Sequence, residues 1–163
     1  MKLNKPKFWD EEKSLFSKFL FPFSFITKII VWTKNKIIKP INFSIPVICV
    51  GNIYLGGTGK TPLSIFIANE LLKNKKRPAV IKKFYPFHGD EHRLILNNYK
   101  NLILDKNRSK AINRAIEEKF DVVILDDGFQ DNTISKNLNI ICFNQNQLVG
   151  NGLVIPAGPL RED

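Results

Sequence analysis

Gly56-Gly57-Thr58-Gly59-Lys60-Thr61 stands between the apolar run Ile45 to Val50 and the amphipathic segment Pro62 to Lys73. A strand, a glycine-rich turn and a helix in that order gather backbone N–H groups and a helix N-terminus around one point, which attracts phosphate. Each residue type has a physical reason to be there. Glycines open dihedrals closed to other residues and let the backbone approach phosphate closely. Lys60 supplies a point charge for the β- and γ-phosphates of a nucleoside triphosphate, and the Thr61 hydroxyl can ligate Mg²⁺. Gly56, Gly57, Thr58, Gly59, Lys60 and Thr61 are therefore the candidate nucleotide contacts. The complete pattern asks for a glycine five residues before Gly59, where this chain has Tyr54, so the match is partial at its front.

A second motif supports the first. Asp121-Val122-Val123-Ile124-Leu125-Asp126-Asp127-Gly128 reads as a strand covered on both faces that ends in two carboxylates. By itself an Asp-Asp-Gly after a strand is a turn. Downstream of a phosphate loop, Asp126 or Asp127 becomes the candidate acid for Mg²⁺.

Outward from these motifs the chain alternates strands and helices. Strands are expected at Ala79 to Phe84, Leu102 to Leu104, Val122 to Leu125 and Leu138 to Phe143. Helical stretches are expected near Glu91 to Leu96 and from about Ser109 to Lys119, the latter with Ile112, Ala115 and Ile116 on one face. That alternation predicts an α/β fold like that of P-loop NTPases: a mostly parallel sheet with flanking helices and ligand at the carboxyl ends of its strands. Gly51 to Thr61, Tyr85 to Glu91 and Asp126 to Gln130 fall at such ends.

Composition sets the outer bounds. The 163 residues, 44% hydrophobic and 25% charged, fit one globular core without repeats or low-complexity tails. Cys49 and Cys142 each lie in an apolar run and read as buried thiols in a reducing compartment. The net charge of +10 suits nucleic acid, anionic lipid or a polyanionic substrate. Its lysines are spread along the chain with few aromatics among them outside the N-terminal segment, so no nucleic-acid partner is expected.

The exception is Leu15 to Ile38, where Phe16, Phe19, Phe21, Phe23, Phe25 and Trp32 mix with Lys18, Lys28, Lys34 and Lys36. Lys18, Pro22 and Lys28 interrupt it as a membrane span. Acidic Asp10, Glu11 and Glu12 before it, and the lack of a small-residue cleavage site after it, argue against a secretory signal. Two readings stay open: a helix or helical hairpin lying in an anionic membrane surface, or a helix packed on its own domain. The expected organisation is an N-terminal membrane-associating segment, 1–44, followed by a nucleotide-binding domain, 45–163.

Several runs, in this order, resemble the tetraacyldisaccharide 4'-kinase family. They are Pro22-Phe23-Ser24, Val50-Gly51-Asn52-Ile53, the loop through Pro62, Gly89-Asp90-Glu91, Asp126-Asp127-Gly128-Phe129-Gln130, and Pro156-Ala157-Gly158-Pro159-Leu160-Arg161-Glu162. The last run is the most specific, and the resemblance extends from about Phe21 to the final residue. It implies an ATP- and Mg²⁺-dependent lipid kinase of lipid A biosynthesis, peripheral on the cytoplasmic face of the inner membrane. Such a kinase transfers the γ-phosphate to the 4'-hydroxyl of an acylated glucosamine disaccharide 1-phosphate.

The resemblance also implies roles. Asp90 matches the catalytic aspartate that orients and deprotonates the acceptor hydroxyl, Lys60 carries the γ-phosphate, Arg161 neutralises phosphate, and Glu162 assists the metal held by Thr61 and Asp126 or Asp127. Three departures are visible. Lys82-Lys83-Phe84-Tyr85 stands where the family carries Ser-Arg-Gly-Tyr, and the segment before Gly-Asp-Glu is contracted to Pro86-Phe87-His88. The family also continues into a C-terminal domain beyond Pro-Leu-Arg-Glu. The expectation is therefore an ATP-dependent lipid kinase, for which a separately encoded C-terminal half is a candidate partner, with a truncated or split ATP-binding module without independent kinase activity as the alternative.

Overall fold

The structure is a computed structural model that describes residues 6–11, 14–54, 58–86, 89–145 and 148–162. Gly56 and Gly57 of the loop, and His88, lie outside these residues. The chain forms two compact units: one of residues 1–38, 53–58 and 143–163, the other of residues 39–52 and 59–142. It passes between the units more than once, where the sequence reading draws a single boundary after residue 44.

The second unit is built on five strands: β1 (Val47–Gly51), β2 (Pro78–Lys83), β3 (Leu102–Asp105), β4 (Val122–Asp126) and β5 (Leu138–Ile141). They form one sheet in the order β3-β2-β4-β1-β5, parallel throughout. Parallel pairing needs a crossover between successive strands, and helices α2 (Lys60–Lys73), α3 (Gly89–Asn98) and α4 (Arg108–Glu117) supply the three from β1 through β4. Every expected strand and helix is present to within a few residues.

Side chains alternate across the sheet, so each strand feeds two cores. Val47, Cys49, Ala79, Ile81, Val123 and Leu125 point to one face, where Ala111, Ile112 and Ala115 of α4 cover them. Val50, Val80 and Ile124 point to the other, under Ile65 and Ala68 of α2 and Ile95 of α3. All five residues of β4 are buried, as its apolar run requires. Asn107 caps α4, its side-chain oxygen accepting from the backbone N–H groups of Ser109 and Lys110 at 2.9 and 3.2 Å. Cys49 and Cys142 are free and buried, and burial pushes the Cys49 thiol up to about 11.

In the first unit, α1 (Leu15–Ile37) is one continuous helix, with Pro22 inside it. The expectation that Pro22 and the lysines interrupt a span is not met: by length and composition this helix suffices to cross a membrane. Its burial pattern is inverted. Ser17 and Ser24, seven residues apart and so on one helical face, are buried, while Phe16, Phe19, Phe23, Phe25, Ile30 and Trp32 are exposed.

The serine face is held by the chain's C-terminal segment. Ser24 Oγ donates to the Val154 carbonyl at 2.6 Å and accepts from the Ala157 N–H at 3.0 Å. Asn151 Nδ2 donates to Ser17 Oγ at 3.0 Å and to the Ala157 carbonyl at 2.9 Å. Trp9 Nε1 donates to the Pro156 carbonyl at 3.1 Å. Beside this latch a small cluster of Tyr54, Val154 and Leu160 packs with Ile53.

Candidate nucleotide site

The register Val50↔Asp126 makes β1 and β4 central neighbours that end at the same edge of the sheet. The chain re-enters this unit at Gly59, in the left-handed region at φ +75°, a conformation that suits glycine and caps the N-terminus of α2. Gly51, at the end of β1, has no room for a side chain: an added Cβ would collide with Phe129 of the Asp-Asp-Gly-Phe-Gln run. The two motifs therefore need each other's shape.

Asp126 is completely buried and is the focus of this end of the sheet. Its Oδ2 accepts from Thr61 Oγ1 at 2.9 Å and from Lys82 Nζ at 2.5 Å; its Oδ1 accepts from Ser64 Oγ at 3.1 Å. Each donor follows from element geometry. Thr61 and Ser64, three apart, share one face of α2 over the sheet. Lys82 pairs in register with Asp126 across β2 and β4, on the face that also carries Val80 and Ile124.

Asp127 turns away. It sits at φ +58°, its N–H donates to the Val50 carbonyl at 2.9 Å, and its carboxylate lies 3.6 Å from Lys60 Nζ. Arg108 supports this turn from α4, donating to the Asp127 carbonyl at 2.6 Å and to the Asp131 carboxylate at 3.3 Å. Burial pushes the Asp131 carboxyl up, but hydrogen bonds from Thr133 and the nearby Arg108 charge outweigh it and leave it below its ordinary value.

The oxygen pair of Thr61 and Asp126 suits Mg²⁺, which takes one or two protein oxygens and fills its octahedron with phosphate and water. Among the described residues no group of three His, Cys, Asp or Glu is placed to hold a metal ion. The Thr58 hydroxyl, in the other unit, is buried and has no hydrogen-bond partner among the described residues.

Of the residues expected to act together, Lys60, Thr61, Asp126 and Asp127 are brought together. Asp90 is the exposed second residue of α3 and makes no hydrogen bond or ion pair among the described residues. Thr58, Arg161 and Glu162 belong to the first unit, where the Arg161 N–H donates to the Ile53 carbonyl at 2.7 Å. Sequence reasoning missed Ser64, Lys82 and Arg108. A helical period from Thr61 reaches Ser64, so that residue was within reach; the period of two along β2 puts Lys82 on the face of Val80 but does not say which strand pairs there. Tyr54, which spoils the front of the loop pattern, is a fully buried core residue that bridges to Leu160.

A parallel sheet ending in a glycine turn, Gly-Lys-Thr at a helix N-terminus and a strand-end aspartate under the threonine hydroxyl define a P-loop NTPase-like α/β protein. The profile of the tetraacyldisaccharide-1-P 4'-kinase family matches residues 16–88 and 87–163. The chain belongs to that family. It is similar to the tetraacyldisaccharide 4'-kinase of Pelagibacter ubique, 53% identical over all of this chain and 52% of that protein. The Coxiella burnetii kinase of the same name is 35% identical, over 98% of this chain and 56% of that protein. Among solved structures, an "apo" form of LpxK from Aquifex aeolicus in complex with ATP superposes with a TM-score of 0.75 at 28% identity. That match covers 91% of this chain and 55% of the other. The chain thus spans about half the length of the curated relatives it matches.

Proposed function

We propose that this chain is the nucleotide-binding part of an ATP-dependent kinase of lipid A biosynthesis. The reaction is transfer of the ATP γ-phosphate to the 4'-hydroxyl of a tetraacyldisaccharide 1-phosphate. The observation that carries the reading is the convergence of Thr61, Ser64 and Lys82 on buried Asp126, with Lys60 at Asp127, in a chain of this family.

Phosphoryl transfer asks the protein for positioning and charge neutralisation. Thr61 and Asp126 would hold Mg²⁺, which would supply positive charge to neutralise the phosphates. Lys60 exchanges its loose contact with Asp127, whose side chain is 45% exposed, for the γ-phosphate. Asp90 accepts the proton of the acceptor hydroxyl as the new P–O bond forms and the bond from the γ-phosphorus to the β,γ-bridging oxygen breaks, releasing ADP. Gly56, Gly57, Thr58 and Gly59 contribute backbone N–H groups to the phosphates. Arg161, as a phosphate ligand, and Glu162, as an aid to the metal, are proposed from the family resemblance.

The exposed aromatic face of α1 and its lysines support a peripheral site on the anionic cytoplasmic face of the inner membrane, where an acylated acceptor resides. A kinase assay with ATP, Mg²⁺ and the acylated disaccharide phosphate, run with and without a supplied C-terminal half, tests the whole reading. Transfer by the chain alone, or by the reconstituted pair, supports a kinase. Nucleotide binding with no transfer in either arm leaves an ATP-binding module.

A further inference from the structure

Lys82 is an unusual residue for its place. It stands in β2, preceded by Ala79, Val80 and Ile81 and followed by Lys83, and its side chain is only 7% exposed beside an Asp126 side chain that is fully buried. Two desolvated charges in contact are costly unless hydrogen bonds occupy their remaining sites, and Thr61 and Ser64 supply two such bonds to the carboxylate. An ionised carboxylate offers about four lone-pair sites, two on each oxygen. Thr61 and Lys82 both direct their protons at Oδ2, the oxygen beside the threonine hydroxyl that a phosphate-borne cation would share.

We propose that Lys82 is a resident counter-ion that competes with the divalent metal at Asp126. Its ammonium holds the carboxylate in place under α2 before nucleotide arrives. A divalent cation reaching Thr61 Oγ1 and Asp126 Oδ2 must displace that ammonium or settle beside a like charge. Either route weakens metal binding relative to the same site with a neutral residue at position 82. Lys82 is thus a positioning residue that sets how much Mg²⁺ the site needs. The inference rests on the reading that Thr61 and Asp126 hold the metal.

The test is calorimetric titration of MgCl₂ into the full chain with ATP, for the unaltered protein and for Lys82→Met, Lys82→Ser and Lys82→Arg. The Met and Ser variants should reach half-saturation at roughly tenfold lower Mg²⁺, the scale of a like-charge repulsion in a partly screened site. The Arg variant, which keeps the charge, should stay near the unaltered protein. An unchanged Mg²⁺ midpoint in folded Met and Ser variants overturns the proposal. Loss of the fold in both, seen by circular dichroism, also overturns it, because Lys82 would then serve the fold alone. If the unaltered chain binds no ATP at any Mg²⁺ concentration, the phosphate-loop reading falls first and takes this inference with it.

Discussion

Asp126 accepts three hydrogen bonds with no exposure to water, so any change to it is felt by both the fold and the site. Asp126→Asn leaves Lys82 buried opposite a neutral amide. That should destabilise the chain by about 3 kcal/mol, the usual scale for breaking a buried pair from one side. The measurement is urea or thermal unfolding, and a shift below about 1 kcal/mol would show that the pair is not desolvated in solution. Lys60→Ala touches no core contact and should leave stability unchanged while weakening ATP binding roughly 10- to 100-fold, the worth of one charged hydrogen bond to phosphate. Equal ATP affinity in that variant would sink the phosphate-loop assignment. Asp90→Ala separates binding from chemistry: ATP affinity should stay the same and transfer to the lipid acceptor should disappear. An unchanged transfer rate would rule out Asp90 as the base.

Asp131 adds a pH dependence with a definite sign. Its folded carboxyl lies below the ordinary value of 3.8, so the native state prefers it ionised. The stability it adds is fully present above that unfolded value and is lost as pH falls through the lower folded one. Asp131→Asn should therefore be less stable than the unaltered chain at neutral pH, and the two should converge under acid conditions. Urea midpoints at pH 7 and near pH 3 check this; a gap that widens on acidification contradicts it.

Among the elements, α1 reverses the usual arrangement of an amphipathic helix. Its small polar residues Ser17 and Ser24 face protein, and its phenylalanines face out. An apolar face of this kind is stable in a membrane surface and a liability in water. Removing residues 1–40 should abolish flotation with anionic liposomes, and a truncated chain that floats equally well would show that the anchor lies elsewhere. Ser24→Ala tests the latch instead. It removes the hydroxyl that donates to the Val154 carbonyl and accepts from the Ala157 N–H; Val154 keeps its bond from the Gly158 N–H at 3.2 Å, while the buried Ala157 N–H is left unpaired at a cost of about 1–3 kcal/mol. Faster proteolysis around residues 148–162 is the expected readout.

For the molecule as a whole, the sheet was the most legible part. The runs around Val47, Val80 and Val123 are continuous apolar stretches between helical periods, and such stretches have few stable fates other than a covered parallel strand. Gly-Lys-Thr and Asp-Asp-Gly were legible as site residues because their chemistry is local to a strand end. The Lys82 contact was not, because nothing in a row of residues states which strand lies beside β2. Once β4 pairs there, the register puts an ammonium against the carboxylate.

The sequence by itself determined the α/β alternation, the phosphate-binding turn, the acid pair and, through the Pro-Ala-Gly-Pro-Leu-Arg-Glu run, the family, since all of these are carried by residue type and spacing along the chain. Only the tertiary structure decided that Tyr54 is a core residue rather than a failed glycine. It alone showed that α1 turns its serines inward, and that Asp126 meets a buried lysine. Those outcomes depend on which distant segments come together, a property of packing that short-range order in the chain does not encode.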